Sequence, residues 1–109
     1  MKEILIKKDY IELFLNKNNL SQRDFSYELK MTSGYVSQIL SRKRKCSGKT
    51  RLNVLNVLNV LNIEQKIEKL LFGIKIEHLT HDSLDELQQK IREIKEYDKI
   101  DFDDVFEII

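Results

Sequence analysis

Residues 20–41 read Leu20-Ser21-Gln22-Arg23-Asp24-Phe25-Ser26-Tyr27-Glu28-Leu29-Lys30-Met31-Thr32-Ser33-Gly34-Tyr35-Val36-Ser37-Gln38-Ile39-Leu40-Ser41. Ser21 and Thr32 each precede an apolar-periodic run and offer an N-cap oxygen. Asp24, at the third helical position after Ser21, favours the positive end of a helix dipole. The spacing predicts a short helix from Gln22 to about Lys30 that buries Phe25 and Leu29, four residues apart. It predicts a second from Thr32 to about Ser41 with Val36, Ile39 and Leu40 on one face. The opposite face carries Ser33, Gly34, Ser37 and Gln38, which are small or hydrogen-bonding and include no acid.

Working outward, a preceding helix is predicted over Lys8 to Asn18, with Ile11, Phe14 and Leu15 on one face and Asn18-Asn19 ending it. Only MKEILIKK has the composition of a strand. Downstream, Arg42-Lys43-Arg44-Lys45 is a basic run and Cys46-Ser47-Gly48 reads as a loop. Leu52 to Ile63 is a triplet array, LNV-LNV-LNV-LNI. A period of three on a helix of 3.6 residues per turn drifts by about 60° per triplet, so this helix should be buried on more than one side. Asn62 is the expected C-cap, Glu64 to Phe72 the next helix (Ile67, Leu70, Leu71), and Gly73 its stop. Ile74 to His81 is ambiguous. Ser83-Leu84-Asp85-Glu86 has the form of a capping box, opening a helix to about Tyr97 with Leu84, Leu87, Ile91 and Ile94 at a and d spacing. Two heptads fall short of a coiled coil. The final IDFDDVFEII places Phe102, Val105, Phe106 and Ile109 on one face of an expected short helix, and an exposed apolar face there calls for a partner surface.

The chain has 109 residues, one Cys, two His, no Pro and no Trp, which suits one domain or a small domain with an appendage. At 41% apolar it buries a modest core, too small for a separate cofactor domain. A lone Cys46 closes no intramolecular disulfide, so an intracellular, cytoplasmic location is expected. The Asn-interrupted array is far short of a membrane span, and MKEILIKK lacks the apolar run and cleavage site of a signal peptide. The net charge of +1 hides a division: residues 1–51 hold twelve basic and five acidic residues, a surplus of +7, while residues 52–109 carry −6. A basic first half points to a polyanion partner, an acidic second half to solvation or partner choice.

Catalytic and metal-binding patterns are thin. His78 and His81 lack a third ligand, and Asp101, Asp103 and Asp104 lack the Gly and terminal Glu of a calcium loop. Four cations beside Cys46 are expected to lower its thiol pKa. No Gly-rich phosphate loop or paired nucleophile and base is present, so neither an enzyme, a cofactor nor a metal is expected.

Two short helices joined by a tight turn, the second apolar inside and small and polar outside, suit a helix-turn-helix reader, because the DNA major groove admits one helix and short side chains let it approach base edges. Leu20-Ser21-Gln22-Arg23-Asp24-Phe25, Thr32-Ser33-Gly34-Tyr35-Val36-Ser37-Gln38-Ile39-Leu40 and Leu61-Asn62-Ile63 resemble the lambda-repressor-like, or Xre-type, helix-turn-helix family over about residues 8–72. The resemblance implies an all-α chain: a five-helix DNA-binding domain over 1–73 and an acidic helical segment over 74–109. It implies base readout by Ser33, Gly34, Ser37 and Gln38, a phosphate anchor at Gln22, and phosphate contacts from the loop Ser41, Arg42, Lys43 and Arg44. Lys45, Arg23, Thr32 and Tyr35 are further candidates for phosphate. The implied function is a sequence-specific transcriptional regulator, a repressor, reading an inverted repeat in double-stranded DNA as a homodimer, with Leu84, Leu87, Ile91, Ile94, Phe102 and Phe106 as the dimer contact. The alternative is an antitoxin-like or adaptor module that works through its acidic C-terminal half. Three positions depart from the family pattern: Lys30 stands where Gly is common in the turn, Gly34 offers no side chain, and the LNV array is one triplet longer than the usual fourth helix.

Overall fold

The computed structural model describes residues 3–72 and 80–109. In chain order they form β1 (Ile4–Ile6), α1 (Lys8–Lys17), α2 (Gln22–Leu29), α3 (Ser33–Leu40), α4 (Gly48–Phe72), α5 (His81–Tyr97), α6 (Phe102–Val105) and β2 (Phe106–Ile108). The chain divides into two compact units, one of residues 1–57 with 100–109 and one of residues 58–99. The chain thus returns to its first unit at the end, unlike the expected division at residue 73.

In the first unit, α1, α2 and α3 begin, end and bury the faces that their periodicity predicts. Ile11, Phe14, Leu15, Phe25, Leu29, Val36, Ile39 and Leu40 are all buried. Ser21 and Asp24 close a reciprocal capping box, with Asp24 N–H donating to Ser21 Oγ at 3.0 Å and Ser21 N–H to Asp24 Oδ2 at 2.8 Å. Thr32 Oγ1 accepts the Tyr35 N–H at 3.2 Å and starts α3.

All three helices end alike, and none ends on glycine. Leu20 N–H reaches Leu15 O, Met31 N–H reaches Ser26 O and Lys43 N–H reaches Gln38 O, at 2.8, 3.0 and 3.0 Å. This six-to-one bond requires a left-handed residue just before it, and Asn19, Lys30 and Arg42 supply it at φ of 55°, 58° and 62°. Asn tolerates that region. Lys30 and Arg42 each pay about 1–2 kcal/mol for the crowding of Cβ. The turn at Lys30 is therefore the same turn a glycine would make.

The described residues are mostly helical, as expected, and depart from helix in a small two-stranded sheet made by the two ends of the chain. The final stretch is helical only to Val105, and Phe106–Ile108 pairs antiparallel with Ile4–Ile6, setting Ile4 opposite Ile108, Leu5 opposite Glu107 and Ile6 opposite Phe106. Glu3 and Ile109 exchange both backbone hydrogen bonds, at 3.0 and 2.8 Å, and extend the ladder. Side-chain burial favours this pairing over a helix: Ile6, Val105 and Phe106 are buried, and the rings of Phe102 and Phe106 lie 4.8 Å apart. Phe106 consequently belongs to the core and is withdrawn from the expected dimer contact, while Phe102 is half-buried against it. Arg42 ties the sheet to the end of α3, its Nη2 donating to Ile6 O at 3.1 Å and to Glu107 Oε1 at 2.6 Å.

α4 is one uninterrupted helix of 25 residues. It starts four residues before the expected Leu52, because Ser47 Oγ accepts the Thr50 N–H at 3.3 Å. It does not stop at Asn62, whose amide instead donates to Asp98 O at 2.8 Å within the second unit. The triplet drift has its predicted effect: Thr50, Val54, Leu58 and Leu61 are buried, most residues beside them are half-buried, and exposure follows the line Leu52, Asn56, Val60, Glu64 and Glu68. In the first unit, Asn53 Nδ2 donates to Leu29 O at 3.1 Å and fixes α4 to the end of α2. In the second, Lys66 Nζ meets Asp98 Oδ1 at 2.9 Å. α5 opens at Thr80, whose Oγ1 accepts the Ser83 N–H at 3.2 Å, so Ser83 is the capped residue and not the cap. No residue of α5 is buried; Leu84 is exposed and Leu87, Ile91 and Ile94 are half-buried. The expected stop at Gly73, residues 74–79 of the ambiguous segment and, among them, His78 lie outside the described residues, while Thr80 and His81 form the cap and first residue of α5.

The two left-handed cations should respond in opposite ways. Lys30→Gly removes Cβ crowding and should raise stability by up to about 1 kcal/mol, after the entropy glycine adds to the unfolded chain. Arg42→Ala keeps the crowding, loses both guanidinium bonds and should lower stability by about 1 kcal/mol or more. Urea unfolding monitored by circular dichroism reads both as shifts of the midpoint.

Candidate nucleic-acid interface

α3 is amphipathic. Val36, Ile39 and Leu40 are at most 4% exposed, and α2 packs against α3. At about 100° per residue, that burial turns Ser33, Gly34, Ser37 and Gln38 to the other side, and all four are exposed. The surface they form is free of acids and of large apolar groups. Nothing lies within 4 Å of where a Cβ on Gly34 would stand, so the fold itself does not require glycine there.

The loop after α3 is organised by the same helix. Gln38 O accepts the N–H groups of both Lys43 and Arg44, at 3.0 and 3.2 Å, so the loop folds back over the last turn. Arg44 lies over the Tyr35 ring, 5.1 Å from its centroid, a cation–π contact that joins two candidate phosphate ligands. Lys43 and Lys45 are exposed. The contact of Lys45 with Glu3, 3.9 Å at 91% and 57% exposure, is too weak and solvated to hold the lysine. At the start of α2, Gln22 and Arg23 are exposed beside the capping box. Hydrogen bonds from the Ser21 backbone and side chain hold the Asp24 carboxyl below its usual pKa, so the box weakens only as pH falls through that lowered value.

Three candidate phosphate contacts are engaged by the fold. Arg42 spends its Nη2 protons on Ile6 O and Glu107, so it acts as a tie between strand and loop. Ser41 donates its hydroxyl to Gln38 O at 3.2 Å. Thr32 accepts at the N-cap of α3 and keeps only its hydroxyl proton for an outside acceptor. Lys49, a cation not singled out from the sequence, is exposed in the first turn of α4. Its place in a helix follows from the Ser47 hydroxyl, which accepts the Thr50 N–H and starts α4 at Gly48.

Cys46 departs from expectation in sign. It is 7% exposed, and burial raises its thiol pKa against the lowering field of Arg51. The Arg51 Nη1 bond goes to Cys46 O, at 2.6 Å, not to the sulfur. Four neighbouring cations in sequence lower a thiol pKa only when they face it, and here the run is solvated while Cys46 turns inward. Among the described residues no cluster of His, Cys, Asp and Glu could hold a metal ion, and His81 lies in the first turn of α5.

A buried thiol with a raised pKa should react slowly with a water-soluble disulfide reagent in native buffer at pH 8 and rapidly in denaturing urea. Equal rates would contradict the burial of Cys46. Comparison of the chain with family models, with curated proteins and with solved structures gives no match.

Proposed function

We propose that the protein is a non-enzymatic, sequence-specific DNA-binding regulator of the lambda-repressor-like helix-turn-helix type, acting in the cytoplasm as a repressor. The observation that carries this reading is the α3 face: small, hydrogen-bonding and acid-free at Ser33, Gly34, Ser37 and Gln38, and bordered by a loop whose Lys43 and Arg44 are anchored on that helix and whose Lys45 is exposed. α3 enters the major groove. Ser33, Ser37 and Gln38 meet base edges, Gly34 lets the helix backbone approach, and Gln22, Arg23, Tyr35, Arg44 and Lys43 hold phosphates. Phosphate contacts position the domain and the base contacts select the sequence.

A homodimer follows from the same reading. In the α5 stripe Leu84 is exposed and Leu87, Ile91 and Ile94 are only half-buried, and a two-fold contact through it would set two reading helices on half-sites of an inverted repeat, about 34 Å or a multiple apart. The same stripe on an acidic helix favours a second reading, an adaptor that binds a basic protein partner.

Fluorescence anisotropy with labelled duplexes distinguishes them. Binding to a preferred inverted repeat should fall steeply with salt, and equal, weak binding to every duplex contradicts specific reading. Gln38→Ala should lose discrimination at one or two base pairs, whereas Arg44→Ala should weaken all duplexes alike and reduce the salt slope. Gly34→Ala should stabilise the free protein by about 0.5 kcal/mol through helix propensity while weakening DNA binding, a pair of opposite signs that a surface without a ligand would not show.

A further inference from the structure

The two-stranded sheet leaves the outer edge of β1 open. Glu3 and Ile109 form a reciprocally bonded pair, and Lys7 N–H donates to Val105 O at 2.7 Å. In an antiparallel ladder the residues between such pairs turn their N–H and C=O outward, so those of Ile4 and Ile6 face away from β2. Arg42 takes the outward C=O of Ile6. Ile4 keeps both of its groups on the open edge. A groove of about 360 Å³ runs beside it, lined by Ile4, Ile39 and Cys46 and bordered by Arg44, Lys45 and Arg51, with no residue of β2 among its walls.

We propose that this groove docks an extended acidic peptide of a partner protein as a third strand. Main-chain hydrogen bonds to Ile4 give the attachment, and the guanidinium on Ile6 ends the usable edge, which fixes the register. Charge decides the chemistry of the occupant. Arg42 is compensated by Glu107, but Arg44, Lys45 and Arg51 border the groove against a single acid, Glu3, whose solvated contact with Lys45 is readily exchanged. The apolar wall at Ile4, Ile39 and Cys46 takes the side chains that alternate with the carboxylates, because successive residues of a strand point to opposite faces. This docking uses β1 and the loop and stands apart from the DNA reading. Competition between peptide and duplex for Arg44 and Lys45 would follow only if that reading also holds.

The test titrates the full chain, labelled with nitrogen-15, with a blocked octapeptide of alternating glutamate and valine, and with a peptide of the same composition whose glutamates are grouped. The alternating peptide should bind saturably, slow hydrogen exchange at the Ile4 amide and bind better than the grouped one. Ile4→Pro removes the outward N–H without touching the ladder to β2 and should weaken binding about tenfold, the equivalent of one lost hydrogen bond. Arg44→Glu with Lys45→Glu, at exposed side chains, should abolish it and supplies a second readout if Ile4→Pro disturbs folding. Equal binding of the grouped peptide, an unchanged Ile4 amide at saturation, or self-association without peptide that Ile4→Pro removes would each overturn the assignment.

Discussion

The burial of Val36, Ile39 and Leu40 against the rest of the first unit fixes which side of α3 faces water, and the candidate interface depends on it. Each of these side chains contributes about 1.5–3 kcal/mol when fully buried, so rotating α3 by half a turn would expose all three. The face left outside needs no side chain for the fold, as the open space around Gly34 makes plain. Phe25 and Leu29 supply the matching surface on α2, and the hydroxyl caps at Ser21 and Thr32 set where each helix begins.

Between these helices the chain accepts strain to keep its turns short. Lys30 and Arg42 stand in left-handed conformations that glycine would adopt freely. At Arg42 the cost is offset by two bonds that reach the first strand and the last. The loop that carries Lys43, Arg44 and Lys45 is therefore held from two sides, by Gln38 O and by the sheet. The acidic end of the chain thus has a structural part in placing basic residues, through Glu107. The near-zero net charge is a sum over two regions of opposite sign, and the 2.6 Å Arg42–Glu107 ion pair joins them.

Much of α2 and α3 was legible in the residues, because their signals are local. Ser21 with Asp24, Thr32 before Ser33, and the three-and-four spacing of Val36, Ile39 and Leu40 all lie within a turn or two of what they determine. MKEILIKK had the composition of a strand, but its pairing with the end of the chain was not legible. Ile4–Ile6 and Phe106–Ile108 are three residues each and about a hundred residues apart in sequence, and Phe102, Val105, Phe106 and Ile109 also satisfy a helical period. Asn62 misled for a related reason: an Asn after an apolar triplet resembles a cap unless its amide has a distant partner, here Asp98 O. At α5 the hydroxyl of Thr80, three residues before Ser83, won the competition for the cap. Cys46 and Arg42 show the same limit from the side of chemistry, since inward or outward orientation, not sequence neighbours, set the thiol pKa and the engagement of the guanidinium.

The central claim is that the outer face of α3 reads DNA sequence. Selection of duplexes from a random pool by the full chain tests it most directly. A two-fold symmetric motif should be enriched, and lost when Ser37 and Gln38 are replaced by alanine although the protein remains folded. A pool that stays random after repeated rounds, or a motif that survives those replacements unchanged, would contradict it.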